Sequence, residues 1–310
     1  MADQGTWPKD KIKELAAESG KPLEVLCGQA FLGSRTGSWK PYLGSYFQDG
    51  ERARELDVLA ERKEVLPKSG ILCRLRAIVS CRGFPDDAAP LTYSIEHSSP
   101  LLRRPGLLAT YRRPSQYASP QEDSELSIHL GMDMAPKLLS GLGLDTQQSV
   151  VALDVIQRDK EKQRRSARVG SPAIESEQSF KLKGDERLYG AIDSAVKGAF
   201  HWAAADQQSA ADGYVTLNVP ICVFSIPFWD VAIDHGRISD PEQRTRSYQT
   251  NAYPVFASLY GRGTDYVPLS TLLVSYSEMD AVVAALDDLF FAFRDDFLVQ
   301  TSDMIRKHGE

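Results

Sequence analysis

Two consecutive segments of the sequence, residues 55–65 and 71–82, carry polar side chains mainly at alternate positions. A period of two places these side chains on one face of a β-strand and the intervening apolar ones on the other face. The polar face is acidic in the first segment and basic in the second, so adjacent strands would bring carboxylates against guanidinium groups. The positions are Glu55, Asp57, Glu61 and Lys63 in the first segment and Arg74, Arg76, Ser80 and Arg82 in the second.

The stretch between the two segments predicts a turn that sets their pairing. Leu66-Pro67-Lys68-Ser69-Gly70 contains the proline and glycine that are typical of turns. A slip of one residue would move every side chain to the opposite face, so the expected antiparallel register is specific. The expected partners are Lys63 and Arg74, Glu61 and Arg76, Asp57 and Ser80, and Glu55 and Arg82.

Other reactive residue types form no constellation with a recognised spacing. Gly141-Leu142-Gly143 lacks the remainder of a dinucleotide fingerprint, and the sequence has neither a Gly-x-Ser-x-Gly elbow nor a P-loop. The cysteines form no Cys-x-x-Cys pair, and none lies beside a histidine at zinc-ligand spacing. The four cysteines are Cys27, Cys73, Cys81 and Cys222.

The composition excludes several broad classes of protein. Of the 310 residues, 42% are hydrophobic, which supplies a large core and excludes a disordered or fibrous chain. With 36 Lys and Arg against 42 Asp and Glu, the formal charge of −6 argues against a general nucleic-acid coat protein. The sequence shows no signal peptide and no apolar run of about 18 residues, and its scattered cysteines predict reduced thiols. We therefore expect a cytoplasmic protein without a membrane partner.

The remaining patterns predict an α/β fold, with a mixed central sheet flanked by helices in a single domain over residues 1–310. Helices are expected at residues 8–19 and 185–205, and from the capping box Ser277-Glu278-Met279-Asp280 onward. Strands are expected at residues 23–31, 91–95 and 214–226. Residues 98–125 are expected to be irregular, and residues 149–165 to begin as a helix and end as a basic run.

The charged strand pair resembles a known nuclease superfamily. Tyr46-Phe47-Gln48-Asp49 followed by Arg54-Glu55-Leu56-Asp57-Val58-Leu59-Ala60 resembles the second core strand of PD-(D/E)XK, restriction-endonuclease-like proteins. Ile78-Val79-Ser80-Cys81-Arg82-Gly83 lies where the next strand of that family carries Glu-x-Lys. The resemblance covers a core of about residues 8–97. The later strand Asn218-Val219-Pro220-Ile221-Cys222-Val223-Phe224 and the last helix also lie where bacterial members have theirs.

The resemblance implies a metal-dependent phosphodiesterase site with substitutions. In the family, the strand Asp and the motif Glu hold Mg²⁺, and the motif Lys supplies a cation. By position, Asp57 matches the Asp, Ser80 stands in place of the Glu, and Arg82 stands in place of the Lys. Ser80 removes one charge, whereas Arg82 keeps a charge that does not titrate at neutral pH. The nearby Glu61-Arg62-Lys63 spells Glu-x-Lys, but Glu61 lies about 13 Å along the same strand from Asp57.

Three functions are considered, of which two follow from this substituted motif and the third fits the acidic net charge. In the first, Arg82 pairs with Glu55 and Asp57 where the metal would lie, hydrolysis is lost, and the chain acts as a nucleic-acid-associated or protein-interaction module. In the second, Glu55 and either Glu14 or Glu18 of the first helix join Asp57 as ligands of Mg²⁺, and Arg82 supplies the cation, in an active DNA or RNA endonuclease. The third is a structural subunit of a bacterial defence or DNA-handling complex. Without activity, no cofactor is expected.

Basic residues outside the motif are candidates for contact with DNA or RNA phosphates, and solvated basic loops are the alternative interpretation. A protein partner or a homodimer is the other class of partner that we consider. The candidate phosphate contacts are Arg103, Arg104, Arg112, Arg113, Arg164 and Arg165.

Overall fold

A single mixed sheet forms the centre of the fold, flanked by helices on both faces. The computed structural model describes residues 21–49, 52–67, 69–84, 88–96, 106–115, 120–144, 148–158, 180–183, 186–208, 213–233, 245–250, 255–262 and 265–308. The helices within these ranges are α1 Lys21–Leu32, α2 Pro120–Gly141, α3 Glu186–Gln207 and α4 Met279–His308. A mixed α/β fold is therefore confirmed.

The strands run in both directions. Those of the described ranges are β1 Lys40–Asp49, β2 Arg52–Val65, β3 Leu72–Arg82, β4 Ala88–Glu96, β5 Leu108–Arg112, β6 Gln148–Arg158, β7 Phe180–Lys183, β8 Tyr214–Phe224, β9 Phe228–Ile233, β10 Thr245–Thr250, β11 Val255–Arg262 and β12 Asp265–Ser275. Their order in the sheet is β1-β2-β3-β8-β12-β11-β6-β4-β9-β10, with β5 also paired to β8 and β7 to β6. The first three strands are antiparallel neighbours, whereas β8 runs parallel to both β3 and β12.

Two layers of helices cover the sheet. On one face, α1, α2 and α4 bury apolar side chains against the centre of the sheet, among them Cys27, Leu138 and Phe293. On the other face, α3 packs with Leu188, Ile192 and Val196 towards the sheet, as the spacing predicts. Phe200, the fourth residue of that predicted stripe, is 37% exposed instead.

The predicted register of the charged strand pair is confirmed for two of its four pairs, whereas Asp57–Ser80 and Glu55–Arg82 lie beyond the end of the ladder. Glu61 pairs with Arg76 and Lys63 with Arg74, and the β2–β3 ladder continues to Val58 opposite Val79. The predicted strands at 91–95 and 214–226 and the predicted helix at 185–205 are also confirmed, as β4, β8 and α3. Charge alternation and proline–glycine turn chemistry were therefore sufficient to align this hairpin.

Three of the predicted elements are wrong. Residues 23–31 form helix α1, because Leu23, Cys27 and Phe31 recur every fourth residue on one buried face. Residues 148–158 form strand β6 and not the start of a helix. Residues 98–125 are not irregular throughout, since they include β5 and the first turns of α2.

The start of the last helix also differs from the prediction. Tyr276–Glu278 form a 3₁₀ turn before α4, and Ser277 Oγ lies 3.0 Å from Ser275 Oγ. Ser277 is thus inside the turn and does not form the expected capping box. The predicted helix at residues 8–19, with Glu14 and Glu18, lies outside the described residues. None of the helices in the described ranges combines the length and apolarity needed to cross a membrane.

Candidate functional site

Strands β1 and β2 change the face to which their side chains point beside Asp57. Leu56 packs with Leu59 on the side of α3, whereas Val58 belongs to the core beneath α1 and α4. On β1, Gly44 lies opposite Asp57, between the paired residues of the ladder, and has a φ of 60°. Such a left-handed conformation favours glycine. The switch places Asp57 at the end of the regular β2–β3 ladder.

The face switch corrects one sequence expectation. Strict alternation predicts that Glu55 and Glu61 share a face of β2. In the structure Glu55 contacts Lys21 of α1, whereas Glu61 contacts Arg76 on the side of α3. The two carboxylates therefore lie on opposite faces of the sheet, and Glu61 takes no part in the site around Asp57.

The carboxylate of Asp57 accepts hydrogen bonds from three consecutive residues of β3. Its Oδ2 atom accepts from the backbone N–H of Cys81 at 2.6 Å and from Ser80 Oγ at 3.1 Å. Arg82 Nη1 lies 3.5 Å from the same oxygen and donates to the carbonyl of Cys81 at 2.7 Å. The expected neighbours Asp57, Ser80 and Arg82 are therefore together, and the carboxylate satisfies a buried backbone donor.

A second cluster lies beside Asp57 and contains Glu24, a residue that no sequence pattern singled out. Lys21 Nζ donates to Glu55 Oε1 at 2.5 Å and to Glu24 Oε2 at 3.0 Å. Glu24 is 6% exposed, and burial raises the pKa of its carboxyl, opposed by Lys21 and reinforced by Asp57. The hydrogen bond to Glu55 raises the pKa of Lys21, which keeps the ammonium charged. A helical interpretation of residues 21–32 would have brought Glu24 to notice.

This pairing changes one predicted contact. Arg82 was expected to lie between Glu55 and Asp57, whereas Glu55 is bound by Lys21 instead. The site thus contains three carboxylates, on Glu24, Glu55 and Asp57, and two cations, the Lys21 ammonium and the Arg82 guanidinium group. The carboxylates exceed the cations by one, and the raised pKa of Glu24 favours protonation of that carboxyl, which reduces the excess negative charge.

The residues present do not fit the Mg²⁺ site that the resemblance implies. The Asp57 oxygen that faces β3 already accepts from Cys81, Ser80 and Arg82, and Ser80 brings a neutral hydroxyl in place of a carboxylate. Across the described part of the chain, no group of three or more His, Cys, Asp or Glu side chains could hold a metal ion.

On the opposite face of the same hairpin, a buried ion network joins the sheet to α3. Arg76 donates to both oxygens of Asp206, at 2.8 and 2.9 Å, and its Nε donates to Glu61 at 3.1 Å. Arg74 Nη1 also contacts Asp206, at 2.5 Å. Burial opposes ionisation of Glu61, but Arg74 and Arg76 lower its pKa below the ordinary value. These groups are neutralised within the protein and are structural.

Only two of the arginines that were candidates for phosphate contact are described. Arg113 forms ion pairs with Glu122 at 2.6 Å and Asp123 at 2.9 Å, which dock it against the first turn of α2. Arg112 ends strand β5 and also interacts within the chain. The candidates Arg103, Arg104, Arg164 and Arg165 lie outside the described residues, as do Glu14 and Glu18. The basic charge of Arg113 is therefore locally compensated.

Comparisons with protein-family models, with curated proteins and with solved structures found no match to this chain.

Proposed function

We propose that this chain is a nuclease-like protein that has lost hydrolysis and acts as a binding module. The observation that carries the proposal is the carboxylate of Asp57, which Ser80, Cys81 and Arg82 engage through one oxygen. The Asp57 carboxylate thus accepts hydrogen bonds at the end of the β2–β3 ladder and compensates the charge of the Arg82 guanidinium. It has no second carboxylate on β3 with which to share a metal ion.

The geometry around the hairpin supports the resemblance to restriction-endonuclease-like proteins. Ser80 on β3 donates a hydrogen bond to Asp57 on β2, and the two residues correspond by position to the Asp and Glu of that family. Arg82 follows in the position of the Lys and lies beside the same carboxylate. Helix α1 precedes the hairpin, and β8 runs parallel to β3. The proposal therefore rests on the relative placement of these positions, with Ser80 as the change that removes activity.

Of the two classes of partner, we favour a protein over a nucleic acid. The formal charge of the chain is −6, and Arg113 is compensated by Glu122 and Asp123. A nucleic-acid partner would gain its affinity from uncompensated cations that release counterions from phosphates. Binding to DNA that weakens steeply with added salt would reverse this preference.

The test of the proposal is a cleavage assay on linear, supercoiled and single-stranded DNA and on RNA, with Mg²⁺ or Mn²⁺. We expect the wild-type protein and Asp57→Ala to show the same background, and the melting temperature of the wild type to be unchanged by either metal. Metal-dependent cleavage that Asp57→Ala abolishes would overturn the proposal.

A carboxylate introduced at position 80 tests whether Ser80 stands in place of a metal ligand. In Ser80→Glu a second carboxylate lies next to Asp57, whereas Ser80→Gln has nearly the same shape without the charge. Because Ser80 is buried, both variants cost stability through overpacking. We expect Mn²⁺ to raise the melting temperature of Ser80→Glu alone, since a ligand of the folded state stabilises it. An equal response of both variants would show that the site is not a former metal site.

A metal-dependent nuclease is the second candidate function; it would require Glu24 and Asp57 to give up their present hydrogen bonds, and the proximity of Glu24 is the observation that favours it. This buried carboxylate on α1 lies close enough to Asp57 and Glu55 for their charges to raise its pKa. A helix carboxylate was expected to complete the site, although from Glu14 or Glu18. If the cleavage assay is positive, Glu24→Gln is the next variant, and its loss of cleavage would assign the missing ligand.

A further inference from the structure

Two cysteines from different layers of the fold lie side by side beneath the candidate site. The Sγ atom of Cys81 on β3 lies 3.7 Å from that of Cys27 on α1, although the residues are 54 positions apart in sequence. Cys27 is 0% exposed and Cys81 is 2% exposed. All four cysteines are free and buried, and Cys73 and Cys222 have no thiol partner in the described structure.

We propose that Cys27 and Cys81 are a dithiol oxidation site that closes to a disulfide between α1 and β3. The oxidant is a small hydroperoxide, of which hydrogen peroxide is the simplest. This proposal goes beyond the proposed function and holds whether or not the chain hydrolyses nucleic acids.

The reaction proceeds in two balanced steps. One thiol sulfur attacks a peroxide oxygen, so that an S–O bond forms, the O–O bond breaks, and water leaves with the thiol proton. The second thiol sulfur attacks the resulting sulfenic sulfur, so that the S–S bond forms, the S–O bond breaks, and a second water leaves. The two thiols together lose two electrons, and one peroxide is reduced to two water molecules.

The surroundings of the pair favour this closure over other fates of the sulfenic acid. Both sulfurs are shielded from solvent, so the neighbouring thiol is the nearest nucleophile and bulky disulfides have poor access. A disulfide requires an S–S distance near 2.05 Å, so the sulfurs must approach by about 1.7 Å. The contact with Cys27 and burial raise the pKa of Cys81, so the reaction is slow and is followed over hours.

Closure would join the two halves of the candidate site. Cys27 lies one helical turn after Glu24, which shares Lys21 with Glu55. The backbone N–H of Cys81 is the donor that holds Asp57. A disulfide between these positions therefore ties the Lys21 cluster on α1 to the Asp57 cluster on β3.

The test treats the folded full chain with hydrogen peroxide, alkylates the remaining thiols after denaturation, and measures the intact mass and the crosslinked peptides. We expect two of the four thiols to be lost and a peptide pair joining Cys27 to Cys81. The melting temperature should rise by about 5 °C and return to its original value with a reducing agent. Four alkylated thiols after treatment, or a crosslink that forms only in denaturant, would overturn the proposal.

Single cysteine variants identify the pair. We expect Cys27→Ala and Cys81→Ala to abolish the crosslink, whereas the matched control Cys73→Ala, also buried on β3, retains it. Circular dichroism establishes that each variant is folded, and Cys27→Ala alone carries the test if Cys81→Ala is not. A crosslink that persists in Cys27→Ala would exclude this pair.

Discussion

The Asp57 carboxylate at the candidate site accepts hydrogen bonds from several donors. The buried N–H of Cys81 has this carboxylate as its acceptor, at 2.6 Å. Removal of the acceptor leaves a buried donor unsatisfied, which costs about 1–3 kcal/mol. The structural role of Asp57 is thus measurable independently of any activity.

We expect Asp57→Ala to lower the free energy of unfolding by about 2 kcal/mol, measured by urea denaturation. The control is Glu64→Ala, which removes an exposed carboxylate on the same strand as Asp57. Glu64 pairs with Arg294 of α4. Exposed ion pairs contribute about 0–1 kcal/mol, so the control should change little. Equal effects of the two substitutions would contradict a structural role for Asp57.

Glu24 links the stability of the fold to pH. Burial raises the pKa of its carboxyl from the ordinary value of 4.5, so the folded chain binds this proton more tightly than the unfolded chain does. The contribution of Glu24 to stability is therefore largest at low pH and declines as the pH rises above 4.5. Glu24→Gln does not titrate and lacks this decline.

We expect the stability of Glu24→Gln relative to the wild type to increase from pH 4.5 upward, as measured by urea denaturation at each pH. Carboxylates that do not interact with Glu24 contribute equally to both proteins, so the difference reports on Glu24 and on the neighbouring charges of Asp57 and Glu55. The exposed Glu125→Gln serves as the control substitution and is measured at the same pH values. A difference that falls with rising pH would mean that the pKa of Glu24 is lowered.

At the scale of elements, the face switch in the β1–β2 hairpin depends on one glycine. Gly44 has a φ of 60°, opposite Asp57, and an L side chain there costs about 1 kcal/mol. Gly190 in helix α3 has open space around its Cβ position and an ordinary φ. Substitution of Gly44 and of Gly190 by alanine is therefore expected to change the stability of the fold in opposite directions.

We expect Gly44→Ala to destabilise the fold by about 1 kcal/mol and Gly190→Ala to stabilise it by about 0.5–1 kcal/mol. Thermal unfolding of the two variants beside the wild type measures both changes. A neutral Gly44→Ala would show that the switch in β1 does not require the left-handed conformation.

The elements also show what the sequence can and cannot predict. The register of β2 against β3 was predictable because the turn at residues 66–70 fixes the spacing and places Glu61 opposite Arg76, of opposite charge. Helix α1 was mistaken for a strand because its apolar run is short, although Leu23, Cys27 and Phe31 recur every fourth residue, as in a helix. Asp206, the main partner of Arg74 and Arg76, was not identified, since it comes from a helix distant in sequence.

The candidate site also contains both residues that the sequence predicts and residues that it does not. The neighbours Asp57, Ser80 and Arg82 followed from strand pairing, because local alternation and the turn determine them. Glu24 and the Cys27 thiol were missed, since their approach depends on how α1 lies on the sheet. Alternation also failed at Gly44, where the backbone conformation overrides the period of two.

At the scale of the whole molecule, a buried carboxylate joins the last helix to the first strands. Asp287 on α4 accepts hydrogen bonds from Trp39 Nε1 at 2.7 Å and Arg62 Nη1 at 2.5 Å. The Arg62 guanidinium lies over the rings of both Phe290 and Phe291, 4.4 Å from each centroid. These contacts hold α4 against β2 in the interior.

Removal of the Asp287 carboxylate leaves the Arg62 charge buried and unpaired. We expect Asp287→Ala to cost about 3–5 kcal/mol of the free energy of unfolding. The adjacent Asp288 is exposed, so Asp288→Ala should change stability by less than about 0.5 kcal/mol. Chemical denaturation of both variants measures the contrast, and a small effect at Asp287 would show that Arg62 finds water or another partner.

The parallel pairing of β3 with β8 also determines the order in which the chain can assemble. Leu72 is paired with Tyr214, so much of the chain must be synthesised before β3 acquires its neighbour. Until then, β3 is the unpaired edge strand of the antiparallel unit formed by β1, β2 and β3. Loop closure of this length slows folding, and an exposed edge recruits other chains. The nascent protein therefore exposes this edge while the residues between β3 and β8 are being synthesised.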